Sequence, residues 1–278
     1  MDMSLLKTLF YGLISGITEI LPVSSHAHRL LILKIFGENR EPELLGFLID
    51  LAVLAALYLG CQTNIVRIAR ARRLARIPKS RRKRPLDTKS LMDFRMLQTM
   101  LIPVVLVFIF YRRISGLVSS MLVVALLLFV NGLILYIPQF LPGSNRDSRT
   151  LSRVEGFAMG LSGTLSVIPG FSGVGAAVSV GSVCGVERSY ALDMTLMMDI
   201  SVCIGFVIYD LLGLVSSGIG MLSFSMFVSY ILAAVAAFGT ATLGIKVMRG
   251  LASDTGYSCF AYYCWGLALF TFIMNLLA

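Results

Sequence analysis

Three stretches of this chain are long enough to cross a lipid bilayer and hold no charged residue: 117–138, 211–245 and 258–278. A helix needs about 20 apolar residues to span ~30 Å of hydrocarbon. Inside hydrocarbon the backbone must satisfy its own hydrogen bonds, so only helices and closed barrels cross. Barrel strands alternate apolar with polar residues, whereas these runs are continuous and predict helices. Composition agrees, because 57% of the 278 residues are hydrophobic and 14% charged, against roughly 25% charged in a soluble domain. The expectation is an all-α polytopic membrane protein, a single membrane domain over 1–278. Full spans are expected near 45–61, 96–111, 117–138, 190–213, 222–245 and 258–277. Residues 1–10 carry no positive cluster ahead of an apolar stretch, so no cleavable signal peptide is expected. Cys61, Cys184, Cys203, Cys259 and Cys264 form no Cys-x-x-Cys pair and lie mostly in apolar runs. They read as small packing residues, not ligands or bridges.

The net charge of +9 is mostly local. Between Arg67 and Lys89 stand eleven of the 24 Lys and Arg residues, opposed only by Asp87. A basic stretch invites a nucleic-acid reading. This one follows one span and precedes another, so it reads as a cytoplasmic loop, 62–95, obeying the positive-inside rule. It also suits anionic lipid headgroups. No nucleic-acid partner is expected. Arg146, Arg149 and Arg153 fall two spans later, in loop 139–154 or at its edge, on the same expected side.

Two segments do not read as spans. Residues 5–34 hold Glu19, His26, His28 and Arg29 and are interrupted by Pro22. Residues 155–187 are rich in Gly and Ser and are broken at Pro169-Gly170. Each reads as two short helices around a Pro-centred break. Non-helical backbone at membrane depth survives only where protein or a cavity surrounds it, so both are expected to be re-entrant helical hairpins. Aligning Pro22 with Pro169 puts Ser15-Gly16 on Ser162-Gly163 and Ser25 on Ser172. Each hairpin is followed by a span with an acid, Asp50 or Asp199. This is a weak internal repeat, about 1–138 and 155–278, of the pseudo-symmetric inverted kind that places a site near the repeat interface. The two acids suit proton or sodium coupling, or pairing with a buried Arg or Ser.

The informative string is Gly16-Ile-Thr-Glu-Ile-Leu-Pro-Val-Ser-Ser-His-Ala-His28. Pro22 pushes Leu21 out of the α region and ends the first helix. Ser24 or Ser25 can cap the next, whose start offers free N–H groups and a positive dipole end to a phosphate. Glu19 suits a divalent cation bridging phosphate oxygens, and His28 suits a base or nucleophile. The plainer alternatives are that Glu19 pairs with Arg29 while the serines only cap, and that Arg29 snorkels to the interface.

The string Gly-Ile-Thr-Glu-Ile-Leu-Pro-Val-Ser-Ser-x-x-His resembles the first signature of the undecaprenyl-diphosphatase, or bacitracin-resistance protein, family. Pro169-Gly170-Phe171-Ser172 resembles the start of its second, Pro-Gly-x-Ser-Arg-Ser-Gly. The resemblance covers nearly the whole chain in span order and loop placement. It implies six transmembrane helices plus two re-entrant helical pairs in an inverted repeat, in a bacterial cell membrane, and leaves a homodimer open. It implies removal of the terminal phosphate from a polyprenyl diphosphate, recycling the lipid carrier of cell-wall precursors, with a divalent cation, Mg or Ca. By the same resemblance Glu19 is the acidic residue on the metal or phosphate side. Ser25 or His28 is the nucleophile or general base, Ser24 supports the phosphate loop, and Ser172 contributes from the second hairpin.

The chain departs from the family pattern at four places. Ser15 stands where the family has Glu or Gln, one helical turn before Glu19. Gly173, Val174 and Ala177 replace an arginine, a serine and a threonine of the second motif. The arginine would clamp the diphosphate through its fork. Losing such a donor commonly costs ~10²–10³ in rate. Arg29, directly after His28, is the candidate to reach the phosphate in its place. Two functions stay open: a lipid diphosphate phosphatase with an altered site, and a non-hydrolytic polyprenyl-phosphate translocase coupled to protons or sodium through Asp50 and Asp199. A ligand-free assembly partner is disfavoured by the intact first motif.

Overall fold

The computed structural model describes residues 3–38, 40–82, 85–114, 120–142, 145–218, 223–253 and 257–277. The helices are α1 (Leu5–Ile20), α2 (Ser25–Phe36), α3 (Glu43–Ala75), α4 (Thr88–Ile109), α5 (Tyr111–Ile114), α6 (Met121–Tyr136), α7 (Arg153–Gly163), α8 (Gly173–Val183), α9 (Arg188–Ser217), α10 (Phe224–Ser253) and α11 (Ser258–Leu277). Among the described residues six of these are long and apolar enough to cross a membrane: α3, α4, α6 with the 3₁₀ turn that follows it, α9, α10 and α11. None of the described residues forms a strand. Large apolar side chains such as Ile109, Leu126, Leu212, Val235 and Leu269 face outward, as suits a multi-pass protein covered by lipid tails.

Three boundaries differ from expectation. The span expected at 45–61 is the middle of a longer helix, and α3 runs on to Ala75. The first part of the basic segment 62–95 is therefore helix, not loop. Residues 62–75 hold Arg, Ala, Leu and Ile and no Gly or Pro before Pro78, so nothing stops the helix at the membrane edge. The next span starts earlier than 96, at Thr88, where the Asp87 carboxylate caps α4 by accepting from the Ser90 N–H at 3.0 Å. α10 continues past 245 to Ser253. Positions 117–119 and 222 of the expected spans lie outside the described residues.

The two basic segments lie at the same end of the bundle. Asp93 of α4, fully buried, accepts from Arg67 Nη2 of α3 (2.8 Å), Ser148 Oγ (2.5 Å) and Tyr190 OH of α9 (2.9 Å). Nearby, Ser152 and Glu155 form a capping box at the start of α7. Arg146 holds the Glu155 carboxyl down to about 2, and Arg149 does the same for Asp147, so this corner keeps its charges at any physiological pH.

Glycines allow close backbone approach at two helix contacts. α1 packs on α10, where a Cβ on Gly12 or Gly16 would lie 2.3 or 2.2 Å from the carbonyl oxygens of Ala233 or Ala237. α7 packs on α4, where a Cβ on Gly160 would lie 2.3 Å from the Met100 oxygen and one on Gly156 would lie 2.2 Å from Met96 Sδ. Small residues four apart let membrane helices approach backbone to backbone. The expected match of Ser15-Gly16 with Ser162-Gly163 is not a packing equivalence. Gly163 meets Met198 instead, and a 3₁₀ turn, Thr164–Val167, follows α7 before its break. The cysteines are all free; Cys61, Cys203 and Cys264 are buried, whereas Cys259 is exposed.

Candidate functional site

The first break is built as the sequence dictates. Leu21, held extended by Pro22, ends α1. The chain then turns at Ser24, whose φ of +65° is rare for a residue with a side chain. Such a conformation costs on the order of 1–3 kcal/mol and persists only where its surroundings fix it. Three bonds do so. Ser24 Oγ accepts from the Ala27 N–H (3.4 Å), capping α2, and from the Gly170 N–H (2.9 Å), while the Ser24 carbonyl accepts from His28 Nδ1 (2.8 Å). Of the two candidate caps, Ser24 is the one used.

The second break comes to meet the first. Ser172 caps α8, its hydroxyl accepting from the Gly175 N–H at 3.2 Å. Its own N–H donates to Asn131 Oδ1 at 2.9 Å, and Asn131 Nδ2 donates to the Pro22 carbonyl at 3.4 Å. Asn131 is fully buried in α6 and joins the two breaks. A Cβ on Gly175 would lie 2.7 Å from Pro22 Cβ, so α8 approaches the first break closely only because position 175 is glycine. Gly170 has φ +110°, open to glycine alone. The starts of α2 and α8 thus converge, each with unsatisfied first-turn N–H groups by position.

The candidate side chains divide into three groups around this junction. Ser25 lies in side-chain contact with Glu19, both of them buried. His28 Nε2 meets Tyr263 OH of α11 at 2.7 Å, with the rings stacked. A backbone carbonyl only accepts, so Nδ1 carries the proton toward Ser24 and Nε2 takes the Tyr263 hydrogen. Arg29 does not snorkel. It is 6% exposed, and its Nη2 is bonded to Asp50 of α3, with Nη1 3.8 Å from Glu41. Glu19 lies within electrostatic reach of Arg29 but is not its ion-pair partner. Asp50 is engaged by Arg29. Asp199 of α9 is buried near Glu19, with Oδ2 lacking a hydrogen-bond partner among the described residues. Ser172 acts through its cap and its N–H.

Sequence reasoning missed Asn131, Tyr263 and Glu41. Asn131 is the one amide in the apolar run of α6, a detectable signal. Tyr263 and Glu41 carry no such mark, because only the tertiary fold brings them to His28 and Arg29.

The donor set does not fit a divalent cation. No group of three or more His, Cys, Asp or Glu able to hold a metal occurs among the described residues. The position one turn before Glu19 is Ser15, whose buried hydroxyl has no hydrogen-bond partner among the described residues. Both nitrogens of His28 are bonded, and Asp50 and Glu41 face the Arg29 guanidinium. The motif's missing arginine also has no room. A Cβ on Gly173 would lie 2.2 Å from the Gly163 carbonyl oxygen and 2.9 Å from Ser166 Cβ.

The chain is similar to known proteins along nearly its whole length. Residues 8–270 match the family model described as bacitracin resistance protein BacA. The undecaprenyl-diphosphatase of Methanobrevibacter smithii is 28% identical over 278 residues, 98% of each chain. Undecaprenyl-diphosphatase 1 of Shouchella clausii is 29% identical over 282 residues, 98% of this chain and 97% of its own. The undecaprenyl-diphosphatase of Paenarthrobacter aurescens is 28% identical over 281 residues, again 98% of each chain.

Proposed function

Since the chain belongs to the bacitracin resistance protein BacA family, we propose that it binds undecaprenyl diphosphate where its two helix breaks meet and hydrolyses it to the monophosphate. One observation carries the reading: Ser24 and Asn131 tie the breaks together, so two capped helix starts converge beside Glu19, Ser25 and Arg29. Phosphoryl transfer needs positioning and stabilisation of charge on the phosphoryl oxygens more than covalent chemistry from the protein. Helix N-termini and one guanidinium supply both.

In the proposed reaction the Ser25 oxygen attacks the terminal phosphorus and Glu19 takes its proton. The bond to the bridging oxygen breaks, and that oxygen leaves on the lipid monophosphate. The monophosphate departs as an anion and takes no proton, so Glu19 keeps the serine hydrogen. Water then attacks the phosphoserine, giving its proton to His28 Nε2 in place of the Tyr263 hydrogen bond, while the Ser25 oxygen leaves, takes its hydrogen back from Glu19 and frees inorganic phosphate. Arg29, with Ser24 and Ser172 shaping the loops, holds the non-bridging oxygens. No step runs through a metal. We assign the prenyl chain to the almost entirely apolar groove of about 620 Å³ between α6 and α11, lined by Leu126, Phe129, Trp265 and Leu269. The same two helices bring Asn131 and Tyr263 to the junction.

We further read α1–α2 and α7–α8 as re-entrant hairpins of an inverted repeat within one membrane domain. The reciprocal packing supports this. The first helix of the leading half packs on α10 and that of the trailing half on α4, while α3 meets α9 and α6 meets α11. The membrane is read as the cell membrane that holds the lipid carrier. The translocase alternative has one observation in its favour, the Asp199 carboxylate near Glu19, whose Oδ2 has no hydrogen-bond partner among the described residues. Lipid binding without phosphate release would favour it.

The side-chain roles are tested by steady-state phosphate release. His28→Ala is expected to lower kcat by about 10²–10⁴, with KM for the lipid nearly unchanged. Ser25→Ala is expected to abolish turnover. Wild-type turnover in Ser25→Ala would replace the serine with water as nucleophile, and wild-type kcat in His28→Ala would remove the histidine from the reaction.

A further inference from the structure

We propose that the Arg29 guanidinium is the resident cation of this phosphate site: fixed by Asp50 and Glu41, it donates its free Nε–H to a phosphate oxygen and makes diphosphate binding independent of a divalent metal. The inference rests on the phosphate-lipid reading above and deepens it.

Arg29 stands in the first turns of α2, one residue beyond His28 and one turn beyond Ser25. It is 6% exposed, and a buried guanidinium is retained only where its charge and donors are met. Asp50 meets one terminal nitrogen, and Glu41 lies 3.8 Å from the other. Arg29 Nε is buried and has no hydrogen-bond partner among the described residues. A planar fork with one corner hydrogen-bonded to Asp50, a second at ion-pair range of Glu41 and the Nε–H unused is preorganised for an oxygen ligand. Leaving such a donor empty costs free energy that an incoming phosphate oxygen recovers.

Three further observations exclude the usual arrangements and leave this one. Ser15 cannot supply the carboxylate that would join Glu19 around a metal. Position 173 is closed to any side chain by the Gly163 carbonyl. Arg29 already lies within electrostatic reach of Glu19, Glu41 and Asp50, so a divalent cation entering among those carboxylates would meet a fixed positive charge. Charges at such range repel strongly where water is excluded. The guanidinium does not deprotonate in a protein, so it serves as a permanent cation.

The test is titration of undecaprenyl diphosphate into the detergent-purified full chain, in EDTA and then in Mg²⁺ or Ca²⁺. Wild type is expected to bind in EDTA with a Kd within about threefold of its value in metal. Arg29→Met is expected to lose about tenfold or more in EDTA, and to regain part of it in metal, because Asp50, Glu41 and Glu19 are then freed as ligands. Arg29→Met/Asp50→Leu, which leaves no unpaired charge at position 50, is expected to show the same loss in EDTA. Wild-type binding that weakens about tenfold or more in EDTA and returns with metal would overturn the fixed-cation inference and leave the lipid reading intact. No binding in either medium would overturn both.

Discussion

Gly173→Arg, which writes the family's arginine back into the second motif, is expected to damage the protein and to raise phosphate release not at all. The reason lies in the backbone, not in the side chain. A Cβ at 173 would stand 2.2 Å from the Gly163 carbonyl oxygen and 2.9 Å from Ser166 Cβ, distances that real Cβ atoms do not adopt. The end of α7, the 3₁₀ turn Thr164–Val167 and the start of α8 have closed over the place where the arginine's stem would pass. Overpacking a well-packed site costs about 1–3 kcal/mol and sometimes more. The upper end is expected here, because the obstacle is main chain. Gly173→Ala isolates the steric part and should lower the thermal midpoint in detergent nearly as far. If Gly173→Arg instead melts like wild type and releases more phosphate, the half-present motif is a simple loss, and the backbone argument fails.

The second large effect is expected at the Arg29–Asp50 pair. Both residues are buried and bonded to one another. Removing one partner of a buried pair leaves an uncompensated charge and typically costs ~3–5 kcal/mol, whereas replacing both with apolar residues is often neutral. Asp50→Leu is therefore expected to destabilise strongly, and Arg29→Met/Asp50→Leu to recover most of that loss. The cycle separates folding from binding. The double variant should be a folded bundle that has lost affinity for the lipid diphosphate. A double variant as unstable as Asp50→Leu would show that Glu41 or another neighbour shares the pair's role in packing. A stable double variant that binds lipid like wild type would show that the pair is structural only.

These two predictions rest on features that differ in how far the sequence disclosed them. The spans were legible because hydrocarbon demands length and apolarity, and the uncharged runs supply both. The two breaks were legible because Pro22 and Pro169-Gly170 cannot continue a helix. The end of α3 was not, because Arg67 to Arg73 look like a loop by charge while being good helix formers by propensity. The presence of Glu19, Ser24, Ser25, His28 and Arg29 in one motif was plain, but not their grouping. Sequence separates Arg29 from Asp50 by 21 residues and His28 from Tyr263 by 235, and nothing short of the fold pairs them. That Arg29 turns inward rather than toward the interface follows from the acids that α3 and the segment before it place there. The closure at Gly173 is likewise invisible in one dimension, since a glycine in a small-residue stripe does not announce what it packs against.

The measurement that tests the central claim most directly is phosphate release from undecaprenyl diphosphate by the purified protein, beside Glu19→Ala. The account predicts release by wild type and its loss in Glu19→Ala with the thermal midpoint preserved. Lipid bound without release by wild type, or equal release by both proteins, would contradict it.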